Sequence, residues 1–153
     1  MISVNDLRDT LSDAIDALKS GGWKFHLTGG LATSYYGEPR FTQDIDIVIR
    51  LNEGDPVDLL IESLTKKFII DEQTVPAAVR AQKMFQALHE ETMIKIDFHV
   101  GEGIPGELER STVKELLPGV HAPLVSKEDA ILSKLLWIKQ GSAKSEQDAH
   151  KIS

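Results

Sequence analysis

The sequence predicts one domain of the α+β class, covering residues 1–153, with a short C-terminal helical part over residues 126–153. Three observations support this class. Two segments repeat apolar residues at helical spacing, two others have the composition or alternation of strands, and 153 residues is a usual size for one core. Because 41% of the residues are hydrophobic and 27% are charged, with both signs interspersed, we expect a folded globular protein.

The N-terminal third predicts a helix, a strand, a glycine turn and a second helix. Apolar residues recur every three or four positions from Val4 to Leu18, and the glycines at 21–22 supply a stop. Residues 23–27 then predict a short strand that leads into Thr28-Gly29-Gly30. A compact helix is expected from Leu31 to about Tyr36.

The middle of the chain predicts mainly strands. Residues 44–49 are β-branched and largely apolar, which is typical of a buried strand. A helix is expected over residues 57–67 and a short strand over 68–70. Residues 84–88 and 93–100 predict two strands of a hairpin.

In the second hairpin strand, apolar residues alternate with Lys95, Asp97 and His99. Side chains alternate between the two faces of a strand, so one face is apolar and the other carries the ionisable groups. The segments 75–82 and 107–123 have no clear periodicity, and we assign no element to them.

The C-terminal part predicts two helices. The first begins at Ser126, with Asp129 three residues later as its capping partner, and Gly141 is expected to end it. Ser145 is expected to begin the second, and Trp137 is assigned to the core. The other apolar residues of the first helix are also expected to be buried: Ile131, Leu132, Leu135, Leu136 and Ile138.

Charge and composition exclude several functions. The net charge of −7 argues against a broad nucleic-acid surface, which needs clustered Lys and Arg. The chain has no cysteine, which excludes disulfides, thiolate metal sites and cysteine nucleophiles. Neither a signal-peptide pattern nor an apolar run of roughly 20 residues is present, so we expect a cytoplasmic protein with no membrane partner.

The clearest candidate for chemistry is the acidic pair Asp44 and Asp46. Residues two apart on a strand share a face, so both carboxylates project together. At 4 Å and an effective dielectric of about 20, two such charges repel by roughly 4 kcal/mol, which favours binding of a divalent cation such as Mg²⁺. The opposite face of the strand is expected to enter the core through Ile45, Ile47 and Ile49.

The glycine turn supplies a complementary feature. Gly29 and Gly30 lack a Cβ and precede a helix, so their backbone N–H groups can approach a phosphate. Asp97 is a candidate third metal ligand or general base. A Gly-Gly pair alone usually marks only a turn, and the combination with three aspartates on strands is what favours a site. His26 and His99 are more simply explained as packing or hydrogen-bonding residues.

Three motifs together resemble the minimal nucleotidyltransferase superfamily related to DNA polymerase beta. They are Thr28-Gly29-Gly30-Leu31-Ala32, Arg40-Phe41-Thr42-Gln43-Asp44-Ile45-Asp46 and Lys95-Ile96-Asp97. Within that superfamily, the Arg-x-Thr-x-Asp-x-Asp motif is similar to AbiEii-type nucleotidyltransferase toxins and to aminoglycoside nucleotidyltransferases.

The resemblance implies a mixed β-sheet with helices packed on it, and a metal-dependent enzyme using Mg²⁺ or Mn²⁺. Such an enzyme moves a nucleoside monophosphate from a nucleoside triphosphate to an acceptor hydroxyl and releases pyrophosphate. Metal binding and catalysis would then belong to Asp44, Asp46 and Asp97, and nucleotide binding to Gly29, Gly30, Arg40, Thr42 and Lys134. From residue type alone, Arg40 fits an exposed position equally well, and a helical lysine such as Lys134 more often faces solvent.

Two departures from the superfamily pattern keep alternatives open. Leu31 stands where a serine is common, and the chain ends soon after Asp148, where many relatives have further helices. The acceptor is open among tRNA, a protein and a small molecule. The alternative function is a non-catalytic interaction protein of the same fold, such as a toxin-antitoxin component with a protein partner. A dinucleotide-binding oxidoreductase is disfavoured because the glycines lack the Gly-x-Gly-x-x-Gly pattern.

Overall fold

The computed structural model describes residues 2–37 and 44–152, with side chains up to residue 140. Within these residues, seven strands form one sheet in the order β3-β4-β5-β2-β1-β7-β6, which contains parallel and antiparallel pairs. The expected α+β class with a mixed sheet is confirmed. The strands are β1 (Phe25–Thr28), β2 (Asp44–Ile49), β3 (Phe68–Ile69), β4 (Met84–His89), β5 (Lys95–Val100), β6 (Thr112–Leu117) and β7 (Val120–Leu124).

Helices flank this sheet. They are α1 (Val4–Ser20), α2 (Gly29–Tyr35), α3 (Val57–Thr65), α4 (Thr74–Ala81), α5 (Glu107–Arg110) and α6 (Lys127–Ile152). The first helix begins where the Ser3 hydroxyl accepts a hydrogen bond from the Asp6 N–H at 3.0 Å, and it packs against α3. Its buried stripe includes Leu11 and Leu18, as the helical spacing predicts.

The central strands hold the site in place through their register. β2 is antiparallel to β1 and parallel to β5, which places β2 in the interior of the sheet. Ile45, Ile47 and Ile49 are completely or almost completely buried, so the predicted core face of β2 is confirmed. The predicted hairpin is also confirmed, since β4 and β5 pair antiparallel and stack Phe85 on Phe98 with ring centroids 4.9 Å apart.

Two segments without an assigned element are ordered secondary structure. Residues 75–82 contribute to α4, and residues 107–123 contain α5, β6 and most of β7. In the part of the chain that the structure describes, β6 pairs with β7 alone, and all of its side chains are exposed or half-buried. It therefore lacks the apolar alternation by which strands are recognised. The turn between these strands contains Pro118 and Gly119, and Gly119 has a φ of +82°.

The prediction for the C-terminal part was wrong in two respects. The backbone continues as one helix, α6, through Gly141 and Ser145, because a single glycine costs a helix only about 1 kcal/mol. The predicted start is confirmed, since the Ser126 hydroxyl accepts a hydrogen bond from the Asp129 N–H at 3.1 Å. The apolar residues assigned to the core are exposed, because α6 packs chiefly against α2: Ile131, Leu132, Leu135, Leu136, Ile138 and Trp137, whose exposed fraction is 78%.

None of the helices in the described part of the chain has the length and apolar character needed to cross a membrane.

Candidate functional site

The candidate site lies on the face of the sheet opposite the isoleucines of β2. In the parallel pair of β2 and β5, Asp46 lies opposite Asp97 and Asp44 lies opposite Lys95. In the antiparallel pair of β1 and β2, Thr28 lies opposite Asp46. Cross-strand neighbours share a face, so the register brings the three aspartates together beside the end of β1.

Gly29 follows β1 immediately and closes one side of this site. Its φ of +65° is in the left-handed region that favours glycine. A Cβ at this position would lie 2.9 Å from Cγ of Asp46 and closer still to Oδ2. The glycine is therefore required by two features, its backbone conformation and the carboxylate against it. Gly29 and the acidic strand are in direct contact. Both Gly29 and Gly30 lie in the first turn of α2, which begins at Gly29 and not at Leu31 as predicted.

The Asp46 carboxylate is oriented by a histidine. Nε2 of His99 lies 2.9 Å from Oδ1 of Asp46, which leaves Oδ2 on the side of Gly29. The hydrogen bond to Asp46 raises the pKa of His99, while partial burial opposes the rise. We explained His99 as a hydrogen-bonding residue from the sequence, and the structure identifies its partner.

Lys95 lies between the other two carboxylates. Its Nζ is 3.9 Å from Oδ1 of Asp44 and 3.9 Å from Oδ1 of Asp97. Oδ1 of Asp97 is buried and accepts no hydrogen bond from the described residues. The Lys95 ammonium is too far from this oxygen to donate a hydrogen bond, so the oxygen keeps the capacity to bind a metal cation directly.

The residues of the site suit Mg²⁺ or Mn²⁺ in chemistry. Within the described ranges, no group of three or more His, Asp or Glu side chains is arranged to hold a metal ion by itself. Magnesium, however, is usually held by one or two carboxylates together with substrate phosphates. Asp46 and Asp97 can supply such oxygens, because Oδ2 of Asp46 faces the glycine turn and Oδ1 of Asp97 has no donor.

The other predicted site residues are distributed as follows. Arg40 and Thr42 lie outside the described residues. Lys134 is half-buried on α6, the helix that packs against α2, and its contact with nucleotide stays a prediction. The roles assigned to the aspartates and glycines also stay predictions, although the structure places Gly29, Asp46 and Asp97 side by side.

A buried hydrogen-bonded pair of a histidine and a glutamate supports the same face of the sheet and was not predicted. Nε2 of His26, on β1, lies 2.8 Å from Oε1 of Glu107 on α5, and both side chains are almost completely buried. Oε2 of Glu107 accepts the Ile104 N–H at 2.7 Å. Burial acts to raise the pKa of Glu107, but the hydrogen bonds from His26 and Ile104 outweigh it and the pKa is lowered. The sequence offers no signal for this pair, because its members are far apart in the chain.

We expect Glu107→Gln to lower the free energy of unfolding by about 1–3 kcal/mol at neutral pH. A glutamine offers one acceptor oxygen where Glu107 uses two, so a buried group loses its partner. Because the pKa of Glu107 is lowered, its contribution is present above the usual value of 4.5 and is lost as the pH falls. Urea unfolding at neutral and at acidic pH should show that the difference in free energy of unfolding between wild type and Glu107→Gln becomes smaller in acid.

The control for this prediction is Glu115→Gln. Glu115 forms an exposed pair with His121, with Oε2 and Nε2 3.1 Å apart. Exposed pairs contribute little, so this variant should stay within about 0.5 kcal/mol of wild type. Equal stability of Glu107→Gln and wild type at neutral pH would show that the buried pair does not support the fold.

The sequence matches the family model described as "Nucleotidyl transferase AbiEii toxin, Type IV TA system" over residues 14–148. The match includes most of the chain, and the protein belongs to this nucleotidyltransferase family. The resemblance inferred from the three motifs is therefore confirmed. No curated protein matches the sequence at a significant level.

Solved structures show the same fold at low sequence identity. A candidate nucleotidyltransferase from Thermotoga maritima, TM1012, has a TM-score of 0.70 and 15% identity, with 100% of this chain and 97% of that chain covered. The lincosamide antibiotic adenylyltransferase LnuA, determined with lincomycin bound, has a TM-score of 0.50 and 15% identity. That alignment covers 86% of this chain and 85% of LnuA. At this level of identity the likeness concerns the fold.

Proposed function

We propose that this protein is a metal-dependent nucleotidyltransferase that moves a nucleoside monophosphate from a nucleoside triphosphate to an acceptor hydroxyl, with release of pyrophosphate. The observation that carries the proposal is the contact between Gly29 and the Asp46 carboxylate, with Asp97 in register on the next strand. This arrangement places a backbone that can approach phosphate beside oxygens that can hold a cation. The family membership supports the same activity.

Each residue of the proposed site has a distinct task. Gly29 and Gly30 hold the phosphates through their backbone N–H groups, and Asp46 and Asp44 hold Mg²⁺ or Mn²⁺. When bound, the metal neutralises charge on the phosphates and on the leaving pyrophosphate. Asp97 completes the metal site or accepts the proton of the acceptor hydroxyl, for which its oxygen without a donor is available.

In the absence of metal, Lys95 partly neutralises the carboxylates of the site. Its ammonium lies at the same distance from Asp44 and Asp97, and so reduces the repulsion between carboxylates on this face. A metal ion held by these carboxylates would reduce their repulsion in place of the Lys95 ammonium.

The test is nucleotide binding and transfer by the purified protein. With Mg²⁺ or Mn²⁺, at least one nucleoside triphosphate should raise the melting temperature, because a ligand that binds the folded state stabilises it. Triphosphates labelled at the α-phosphate should transfer label to an acceptor. Candidate acceptors are tRNA, protein and small hydroxyl compounds, and LnuA motivates including ATP and lincomycin. A protein whose melting temperature no nucleotide changes, with or without metal, would contradict the proposal.

The second candidate is a non-catalytic component of a toxin-antitoxin pair with a protein partner. The description of the matched family supports the toxin-antitoxin part of this candidate. An enzymatic toxin and a non-catalytic partner differ in one measurable respect. If the protein is an enzymatic toxin, the growth inhibition caused by its expression requires the aspartate carboxylates of the site. If it is a non-catalytic partner, the inhibition does not require them. Expression of Asp44→Asn beside wild type distinguishes them, since retained inhibition by the variant favours the non-catalytic role.

A further inference from the structure

An apolar stripe on α6 faces away from the domain. Ile131, Leu132, Leu135 and Leu136 are all exposed, and Leu135 exposes 58% of its surface. The side of α6 with the half-buried residues Ala130, Ser133 and Lys134 is turned toward the rest of the molecule. Four exposed large apolar residues within two turns are unusual for a surface that remains in water, and such patches mark interaction sites.

The stripe is bounded by opposite charges. At about 100° per residue, the four apolar residues lie within about 70° of one line along α6. Glu128 and Lys139 lie close to this line at its two ends, and both are exposed. Ile138 lies at the margin of the stripe, and Trp137 lies on the opposite side of the helix. The stripe therefore has an acidic N-terminal end and a basic C-terminal end.

This pattern is complementary to itself when it is reversed. If two copies of α6 pack antiparallel with their two-fold axis between Ser133 and Lys134, Leu132 of each copy faces Leu135 of the other. Ile131 then faces Leu136, and Glu128 faces Lys139, once on each side of the axis. A parallel pair would instead place Glu128 against Glu128 of the other copy, where like charges repel. A two-fold interface of this kind uses the same patch on both subunits.

We propose that the chain forms a symmetric dimer through antiparallel packing of α6 against α6 of a second copy. Both the apolar contacts and the two ion pairs arise from this one sequence, so the second copy is the occupant that the charges specify. The interface is separate from the aspartates on the sheet. The proposal stands or falls without the nucleotidyltransferase activity.

The first test is sedimentation velocity of the full chain over a concentration series, with two matched variants. Leu135→Glu puts a carboxylate at the centre of the apolar stripe and should raise the dimer dissociation constant at least about 100-fold, because a buried unpaired charge is costly. Leu59→Glu is the control, since Leu59 on α3 is also 58% exposed and lies outside the stripe. This control should dimerise as wild type does. Circular dichroism verifies that both variants are folded.

The second test addresses the antiparallel register by charge reversal. Glu128→Lys and Lys139→Glu should each weaken self-association several-fold, because each replaces two attractive pairs by two repulsive ones. A one-to-one mixture of the two variants should recover wild-type affinity, since the introduced lysine of one variant then meets the introduced glutamate of the other across the interface. Native mass spectrometry of the mixed dimer would show this recovery.

Three results would overturn the proposal. If the wild-type chain is monomeric at every concentration, a second copy does not occupy the stripe. The same conclusion holds if such a monomer binds a different protein through the stripe. A dimer unaffected by Leu135→Glu places the interface elsewhere. A mixture of charge variants that associates no more tightly than either variant alone excludes the antiparallel register.

Discussion

Replacing Asp46 by asparagine should reduce nucleotidyl transfer at least about 100-fold while leaving the fold intact. Asparagine keeps the shape of the side chain and an oxygen that can accept the hydrogen bond from His99. It removes the negative charge beside Gly29 that the proposed metal requires, and metal stabilisation of transition-state charge is worth several kcal/mol. The measurement is transfer of α-phosphate label under conditions in which wild type is active.

Asp58→Asn is the control for this loss. Asp58 is an exposed acid in the first turn of α3, so its replacement changes net charge equally without touching the sheet. We expect this control to retain full transfer. If Asp46→Asn transferred label at the wild-type rate, the aspartates on β2 would not be the metal-binding residues, and the proposed mechanism would have to be abandoned.

The arrangement of the aspartates was accessible from the sequence because it depends on local periodicity. Side chains two apart on a strand share a face, so the pair Asp44 and Asp46 follows from the position of β2 alone. The position of Asp97 beside this pair depends on which strands are neighbours, and the hairpin alone does not specify that. The family resemblance supplied it, and the parallel register of β2 and β5 agrees.

The residues that pair with these carboxylates could be predicted from the sequence only in part. The alternation in β5 places Lys95 and His99 on the same face as Asp97, and this signal was present in the sequence. Which carboxylate each of them contacts depends on the stagger between strands, which periodicity does not encode. The pair of His26 and Glu107 could not be predicted from the sequence at all, because it joins two elements that no local pattern connects.

The errors in α6 have a separate physical cause. An apolar stripe at helical spacing indicates that a helix buries one face, but it does not indicate what covers that face. We assigned Leu132 and Leu135 to the core of this domain, whereas both are exposed and α6 packs chiefly against α2. Such a stripe is equally consistent with burial between chains.

Gly29→Ala should reduce nucleotidyl transfer about 100-fold and also lower the free energy of unfolding by about 1–2 kcal/mol. The stability loss arises because an L-residue is strained at a φ of +65°. The activity loss arises because the new Cβ meets the Asp46 carboxylate, and a displacement of about 1 Å at a reacting centre can cost 100-fold. Rotation of the Asp46 side chain would not remove the clash, because the Cβ of Asp46 would itself be 3.0 Å from the Cβ of the new alanine. This Asp46 Cβ is held by the central strand β2.

Gly22→Ala separates these two effects. Gly22 has a φ of +69°, and a Cβ there would meet no atom within 4 Å. The backbone strain is therefore matched while the contact with the site is absent. Urea unfolding should give the two variants similar losses of stability, whereas transfer should fall only in Gly29→Ala. If the two variants transferred label equally well, backbone strain alone would account for the effect of Gly29→Ala. The contact between Gly29 and the Asp46 carboxylate would then not be needed for activity.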